Sequence, residues 1–183
     1  MKLYEVRANV KGFQKIIFNR LDSFRKIVDL CSTGKPITKK ELPTDGQIFN
    51  NDYKGKAHSI SDCMFLSNNC LVFSKNAVDT LEKYIKDYVD IIPFRCLNYS
   101  EDIYLINCYY AKYILDNNCV GAYTVVSEKN QSIEEPWQPE FGTKIPWLHK
   151  IKDTIQTRVN CTEDFIDFVR EKKLTGFWFS RIV

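Results

Sequence analysis

Residues 71–116 read LVFSKNAVDTLEKYIKDYVDIIPFRCLNYSEDIYLINCYYAKYILD and carry the clearest periodicity in the chain. The apolar run 71–73 predicts a short strand. Ser74 then predicts a helix N-cap, because its hydroxyl can accept a hydrogen bond from an unpaired backbone N–H of the first helical turn. We therefore expect a helix over 75–88, with one buried stripe. That stripe consists of Val78, Leu81, Ile85 and Tyr88.

The second half of this stretch predicts two further strands. Residues 89–94 are mostly apolar, and Pro93 indicates that this strand ends there or lies at a sheet edge, because proline has no N–H to donate. Residues 98–102 are typical of a turn, and the apolar run 103–110 predicts the next strand. Residues 111–115 are interpreted as a helical turn.

The residues before this stretch predict strands, a helix and a long loop. Residues 2–10 alternate between polar and apolar side chains, which indicates a strand. We assign 13–19 to a strand and 21–30 to a helix. The segment 31–61 is rich in Gly, Pro, Asn, Asp and Ser and predicts a long irregular connection.

The residues after it predict a second unit of capped helix and strand. Residues 120–126 and 148–159 have strand-like parts. Thr162 predicts an N-cap, and the two acids that follow suit the positive end of a helix dipole. Gly176 marks the turn after this helix, and the aromatic run 177–179 opens a final strand. Alternation places Phe177 and Phe179 on one face of that strand and Trp178 on the other.

Composition favours one folded domain over the whole chain, 1–183. Hydrophobic residues make up 44% and charged residues 27%, which is not a disordered composition. A chain of 183 residues is long enough to bury a core. The expected fold class is α+β, with one mixed or antiparallel sheet and two or three packed amphipathic helices.

Charge and cysteine usage limit the classes of partner and compartment. Lys and Arg total 26 against 23 Asp and Glu, a net charge of +3 without a basic stripe, so no nucleic-acid partner is expected. Seven cysteines, an odd number without a CxxC motif, are typical of a reducing cytosol. The N-terminal residues lack an apolar signal core, and no run approaches a membrane span. We expect a cytoplasmic protein that does not contact a membrane.

The search for catalytic, metal and cofactor motifs identifies none. HExxH, GxSxG, Gly-rich phosphate loops and Cys–His zinc spacing do not occur. Folding could assemble a Cys–His pair, for instance Cys70 with His58, but nothing in the sequence selects it. We therefore predict no catalytic residue, no metal ligand, no cofactor and no enzymatic activity.

The acidic segment 128–140 is the candidate partner surface. It holds four acids, one lysine and a tryptophan between two prolines. Exposed tryptophans often anchor protein interfaces, whereas a tryptophan that folds back would only pin this loop to the core. The candidate partner-binding residues are Glu134, Glu135, Trp137 and Glu140.

A series of short motifs carries a family resemblance from residue 34 onward. In order, they are Gly34-Lys35-Pro36-Ile37, Asp62, 72–78 with Leu81, Ile91-Ile92-Pro93-Phe94, Tyr104-Leu105-Ile106-Asn107-Cys108, Ile114-Leu115-Asp116, 160–165 and 174–179. In their order and spacing they resemble immunity protein family eleven of bacterial polymorphic toxin systems. The chain departs from that family at Cys63, where an aromatic residue usually follows the aspartate, and segment 127–147 matches no part of it.

The resemblance implies a cytosolic protein that binds a cognate toxin domain with fixed stoichiometry, and blocks or distorts its active site. It carries over no catalytic residue. Two other classes stay open: an enzyme that reverses the toxin's modification, with a site built from 31–61, and an intracellular adaptor unrelated to toxins.

Overall fold

The computed structural model describes residues 3–49, 58–109, 111–115, 123–127, 146–152 and 157–181. The strands are β1 (Leu3–Ala8), β2 (Lys15–Phe18), β3 (Gly46–Phe49), β4 (Cys63–Ser67), β5 (Cys70–Ser74), β6 (Val89–Cys96), β7 (Tyr99–Cys108), β8 (Ala111–Leu115), β9 (Tyr123–Ser127), β10 (Leu148–Lys152), β11 (Thr157–Thr162) and β12 (Phe177–Arg181). The helices are α1 (Leu21–Ser32), α2 (Lys75–Ile85) and α3 (Glu163–Glu171), with a 3₁₀ turn at Lys39–Glu41.

The described strands form three separate sheets, one of which closes into a barrel. The α+β class is therefore confirmed, but the expected single sheet is wrong. Six strands close a barrel in the order β2-β3-β6-β7-β5-β4. Four strands form an antiparallel sheet in the order β10-β11-β1-β12, and β8 pairs with β9. The barrel closes through two short parallel contacts, Lys15 with Phe65 and Gly46 with Cys96.

The central strands need two cores because their side chains are buried on both faces. On β5, Val72 lies inside the barrel, whereas Leu71 and Phe73 lie in a second core. That second core is filled by α2, α3 and the inner face of the four-stranded sheet. A strand that is apolar on both faces must be covered on both. A single sheet with helices on one face could not bury the run 71–73.

Both predicted helix caps are confirmed. The Ser74 hydroxyl accepts a hydrogen bond from the Ala77 N–H at 3.1 Å, and the Thr162 hydroxyl accepts one from the Phe165 N–H at 3.4 Å. The buried residues of α2 include Val78, Leu81 and Ile85, as the stripe predicts. The helix ends at Ile85, one turn earlier than expected, and Tyr88 follows it in a turn.

Several boundaries differ from the sequence-based expectations. β6 continues through Pro93 to Cys96, and β3 meets β6 only at Cys96, so Pro93 stands at an edge position where a missing N–H is tolerated. β7 begins at Tyr99, inside the expected turn. Residues 111–115 form β8 instead of a helical turn, because pairing with distant β9 overrides the local pattern. Segment 31–61 contains a 3₁₀ turn and β3, and its residues 50–57 lie outside the described part.

Candidate functional site

Asp62 joins three segments of the chain at one point. Its carboxylate accepts hydrogen bonds from the Ser74 hydroxyl at 2.8 Å and from the Asn76 side-chain amide at 2.8 Å. It also accepts from the Thr175 N–H at 2.9 Å and from the Thr175 hydroxyl at 3.1 Å. The start of β4, the cap of α2 and the turn before β12 therefore share a single carboxylate.

Gly176 completes this junction through its backbone. Its φ is +81°, a conformation that L side chains rarely adopt. Its carbonyl accepts a hydrogen bond from the Asn9 N–H at 2.7 Å, and the Thr175 carbonyl accepts one from the Cys63 N–H at 3.1 Å. A Cβ at this position would lie 2.4 Å from the Cys63 carbonyl oxygen. The turn thus requires glycine both for its conformation and for its close packing.

The hydrogen bonds at the junction hold the pKa of Asp62 below its usual value. Partial burial acts to raise this pKa, but the donors Asn76, Thr175 and Ser74 together outweigh it. The carboxylate is therefore ionised at neutral pH, and its acceptor positions are occupied by protein donors. This arrangement makes Asp62 a structural anchor and leaves it poorly suited to act as a general base.

We predict that Asp62→Asn lowers the free energy of unfolding by about 1–2 kcal/mol at pH 7, after allowance for its partial exposure. Because the folded-state pKa is depressed, this stabilisation is fully present above the unfolded-state pKa and is lost as pH falls through the folded value. Denaturant unfolding at pH 7 and pH 3 should therefore show the gap to the unsubstituted protein narrowing at pH 3. Asp102→Asn, an exposed acid nearby, is the control, and an equal gap at both pH values would contradict the prediction.

An open cleft of about 470 Å³ lies beside the junction. Besides Asp62 it is lined by exposed charges of both signs, Lys75, Glu101 and Asp102. Among the residues described, no group of three or more His, Cys, Asp or Glu side chains is placed to hold a metal ion. The cleft therefore presents a mixed polar surface, and its one strongly held carboxylate is already engaged.

A second network surrounds Lys150, whose side chain is fully buried on β10. Its ammonium donates hydrogen bonds to the Cys31 carbonyl and, at 3.1 Å, to the Asn107 side-chain oxygen. The Asn107 amide in turn donates to Asp90 at 3.1 Å and to the Lys35 carbonyl at 2.7 Å. Asn107 thus links a buried ammonium to a carboxylate and fixes the segment after α1 against β7 and β10.

Asp90 is held by two further donors. It accepts hydrogen bonds from the Ile37 N–H at 3.0 Å and from the Tyr109 hydroxyl. Burial, and then the hydrogen bond to Asp90, raise the pKa of Tyr109, so this phenol stays protonated and remains a donor. All members of the network lie within hydrogen-bonding reach of protein partners, which is the pattern of a structural polar core.

The described cysteines do not provide an accessible nucleophile. All six are free and buried: Cys31, Cys63, Cys70, Cys96, Cys108 and Cys161. Burial raises the pKa of Cys96 and of Cys108 to about 12. A hydrogen bond from Cys70 and the Lys150 ammonium lower the pKa of Cys31, but its side chain has no exposed surface. The thiol of Cys70 donates to the Ile27 carbonyl and to the Asn69 side-chain oxygen.

Several of the motif residues behind the family resemblance belong to these two networks. Asp62, Ser74 and Gly176 belong to the first, and Lys35 and Asn107 belong to the second. The candidate partner residues Glu134, Glu135, Trp137 and Glu140 lie outside the described residues. Sequence reasoning missed Asp90 and Lys150, and it included Thr175 only as part of the motif 174–179. A lysine in the strand LHKIK gives no sign of burial, and only the contacts of the fold reveal it.

In the described part of the chain, no helix is long and apolar enough to cross a membrane. No protein-family model, curated protein or solved structure matches the chain.

Proposed function

We propose that the chain is an immunity protein that binds a cognate bacterial toxin domain with fixed stoichiometry and blocks or distorts its active site. The observation that supports this proposal most is the convergence of the motif residues on the two polar networks. Asp62 and Gly176 are far apart in sequence yet meet at one junction, and Lys35 and Asn107 meet at the other. Motifs that fix a scaffold fit a family whose variable segments carry partner recognition.

The side chains available for chemistry also fit a binding protein. Asp62 and Asp90 are engaged by several protein donors each, and the described thiols are buried. The cleft at Asp62 is open and lined mostly by polar residues, whereas enzyme sites are usually concave pockets with a few converging free polar groups. These features support a function that is carried by exposed surfaces.

The proposal predicts a toxin gene beside the gene of this chain, and a neighbourhood without one would contradict it. The direct test uses the toxin domain that this gene encodes, in a catalytically inactive form. We expect a stable complex by size-exclusion chromatography and calorimetry, and protection of cells in proportion to the amount of immunity protein. A substoichiometric chain that still protects fully would favour the enzyme that reverses a modification. Failure of the purified proteins to bind would contradict the proposal.

We predict that reversing the acids of the candidate loop weakens the complex if the toxin presents a basic groove. The triple change Glu134→Lys, Glu135→Lys and Glu140→Lys removes charges that would attract such a groove, which slows association and reduces salt dependence. Binding kinetics at two ionic strengths measure both quantities.

The matched control is a triple lysine variant at exposed acids on described elements, which changes net charge equally. Its sites are Glu82, Asp87 and Glu171. If the loop variant keeps both its affinity for the toxin and its salt dependence, the hypothesis that the acidic loop contacts the toxin is wrong.

A further inference from the structure

Trp178 is held on the outer face of the four-stranded sheet. It lies opposite Arg7 in the pairing of β12 with β1, and its side chain is 45% exposed. The Arg7 guanidinium lies over the indole, 5.8 Å from its centroid. Phe177 and Phe179, its neighbours in sequence, pack into the core on the opposite face, as alternation predicts.

A buried carboxylate fixes this arginine. Glu5 is only 3% exposed. Its Oε1 accepts a hydrogen bond from Arg7 Nε at 2.7 Å and lies 2.6 Å from Arg7 Nη2. Its Oε2 lies 3.3 Å from Arg158 Nη1 on β11. Two contacts from one guanidinium to a single carboxylate oxygen restrict the orientation of that guanidinium. The indole therefore packs against a guanidinium whose position is fixed by Glu5, a buried residue of β1.

An apolar cleft of about 670 Å³ opens beside the indole. Its walls include Val10, which is 40% exposed, and Phe65 of the barrel. Among the described residues, the charged side chains that line it are Arg7 and Lys11, and none of these residues contributes a carboxylate to the lining. Glu5, the nearby acid, is buried and paired with two arginines. The described charges that this cleft exposes, Lys11 and the part-exposed Arg7, are both positive.

We infer that this cleft is a docking surface for the toxin domain, and that the toxin presents an apolar side chain surrounded by carboxylates to it. The apolar side chain would fill the space between Val10, Phe65 and Trp178, while the carboxylates would face Lys11 and Arg7. This inference rests on the proposed function and adds the chemistry of the contact.

Two physical arguments favour such a partner. A tryptophan that is already held in place loses little side-chain freedom on binding, and buried tryptophans dominate many interfaces. A basic rim attracts acidic surfaces and repels basic ones, which raises the association rate for the former. The mostly apolar walls favour a protein over a nucleic acid, whose backbone would need a continuous basic track.

Binding of the adjacent-gene toxin domain, in its inactive form, to two variants tests the inference. Trp178→Ala removes the anchor and should weaken binding about tenfold or more. Lys11→Glu reverses one rim charge in the bend after β1 and should weaken binding several-fold, about 3-fold or more at low salt and less at high salt. Since Lys11 lies outside the strands, this second variant keeps the test valid if Trp178→Ala unfolds.

Two controls match these changes in kind. Leu97→Ala removes an apolar side chain that is 65% exposed in the turn between β6 and β7. Lys40→Glu makes the same charge reversal on the 3₁₀ turn. Both controls should bind as the unsubstituted chain does, and thermal unfolding verifies that all four variants are folded.

The outcomes separate this inference from the proposed function. If the unsubstituted chain binds and folded cleft variants bind equally well, the cleft is not the docking surface, and the proposed function stands. If the unsubstituted chain does not bind the toxin domain, both the proposed function and this inference are wrong. Trp178-dependent binding to a single-stranded oligonucleotide, with toxin binding unaffected, would also overturn the inference. The acidic loop would bind a basic part of the toxin, whereas the cleft would bind an acidic part. The loop variant and the cleft variants therefore show which of the two surfaces the toxin contacts.

Discussion

Replacing Gly176 with alanine is expected to lower the free energy of unfolding by about 3 kcal/mol or more. Two costs add at this position. The φ of +81° strains any residue with a Cβ, and that Cβ would lie 2.4 Å from the Cys63 carbonyl oxygen and 2.6 Å from the Ser61 Cβ. The first contact is with backbone, so relief requires β4 and the turn before β12 to move apart.

Gly12→Ala provides the matched control, because Gly12 has a similar φ of +75° but no atom within 4 Å of its built Cβ. This variant should lose only the conformational part, about 1 kcal/mol. Denaturant unfolding of both variants gives the two values, and their difference isolates the steric cost. Equal losses in the two variants would mean that the close approach at Gly176 contributes nothing.

Replacing Lys150 with methionine is expected to cost about 3–5 kcal/mol, the second large effect. Methionine fills a similar volume but cannot donate, so the Cys31 carbonyl and the Asn107 side-chain oxygen lose a buried donor. Leaving buried polar groups unpaired costs more than the net value of the hydrogen bonds themselves. Asp90 also loses the positive charge to which Asn107 links it.

A double-mutant cycle separates loss of the lysine from damage to packing. The double variant Lys150→Met with Asn107→Leu also lacks the Asn107 side-chain oxygen that Lys150→Met alone leaves without its donor. Its loss of unfolding free energy should therefore be smaller than the sum of the losses in the two single variants. Unfolding by urea supplies the four free energies, and Lys40→Met, an exposed lysine, should change stability by less than about 0.5 kcal/mol. Strict additivity would show that the lysine and the asparagine do not interact energetically.

Local features of the fold could be predicted because they depend on neighbours in sequence. Ser74 and Thr162 cap helices through contacts three residues away, and the alternation at 177–179 follows from strand geometry alone. The junctions could not be predicted. Asp62 meets a residue 113 positions away, and Lys150 meets one 119 positions away. A contact at such separation leaves no periodic trace in the sequence.

The candidate binding surfaces also differ in how far the sequence predicts them. The acidic loop with Trp137 stood out by composition, and it stays a prediction because it lies outside the described residues. Trp178 was assigned to one face of a strand, but nothing in the sequence indicated that this face is the exposed one. Its support by Arg7 and Glu5 depends on the pairing of β1 with β12, strands from opposite ends of the chain.

By itself, the sequence determined the α+β class, the two capped helices and the alternating faces of β12, because propensity and periodicity act over a few residues. The tertiary structure decided that residues 71–73 need two cores, and therefore a barrel and a second sheet in place of one sheet. It also decided that Asp62, Gly176, Asn107 and Lys150 join distant segments. Those outcomes depend on which surfaces pack together, and that choice is made by burial across the whole chain.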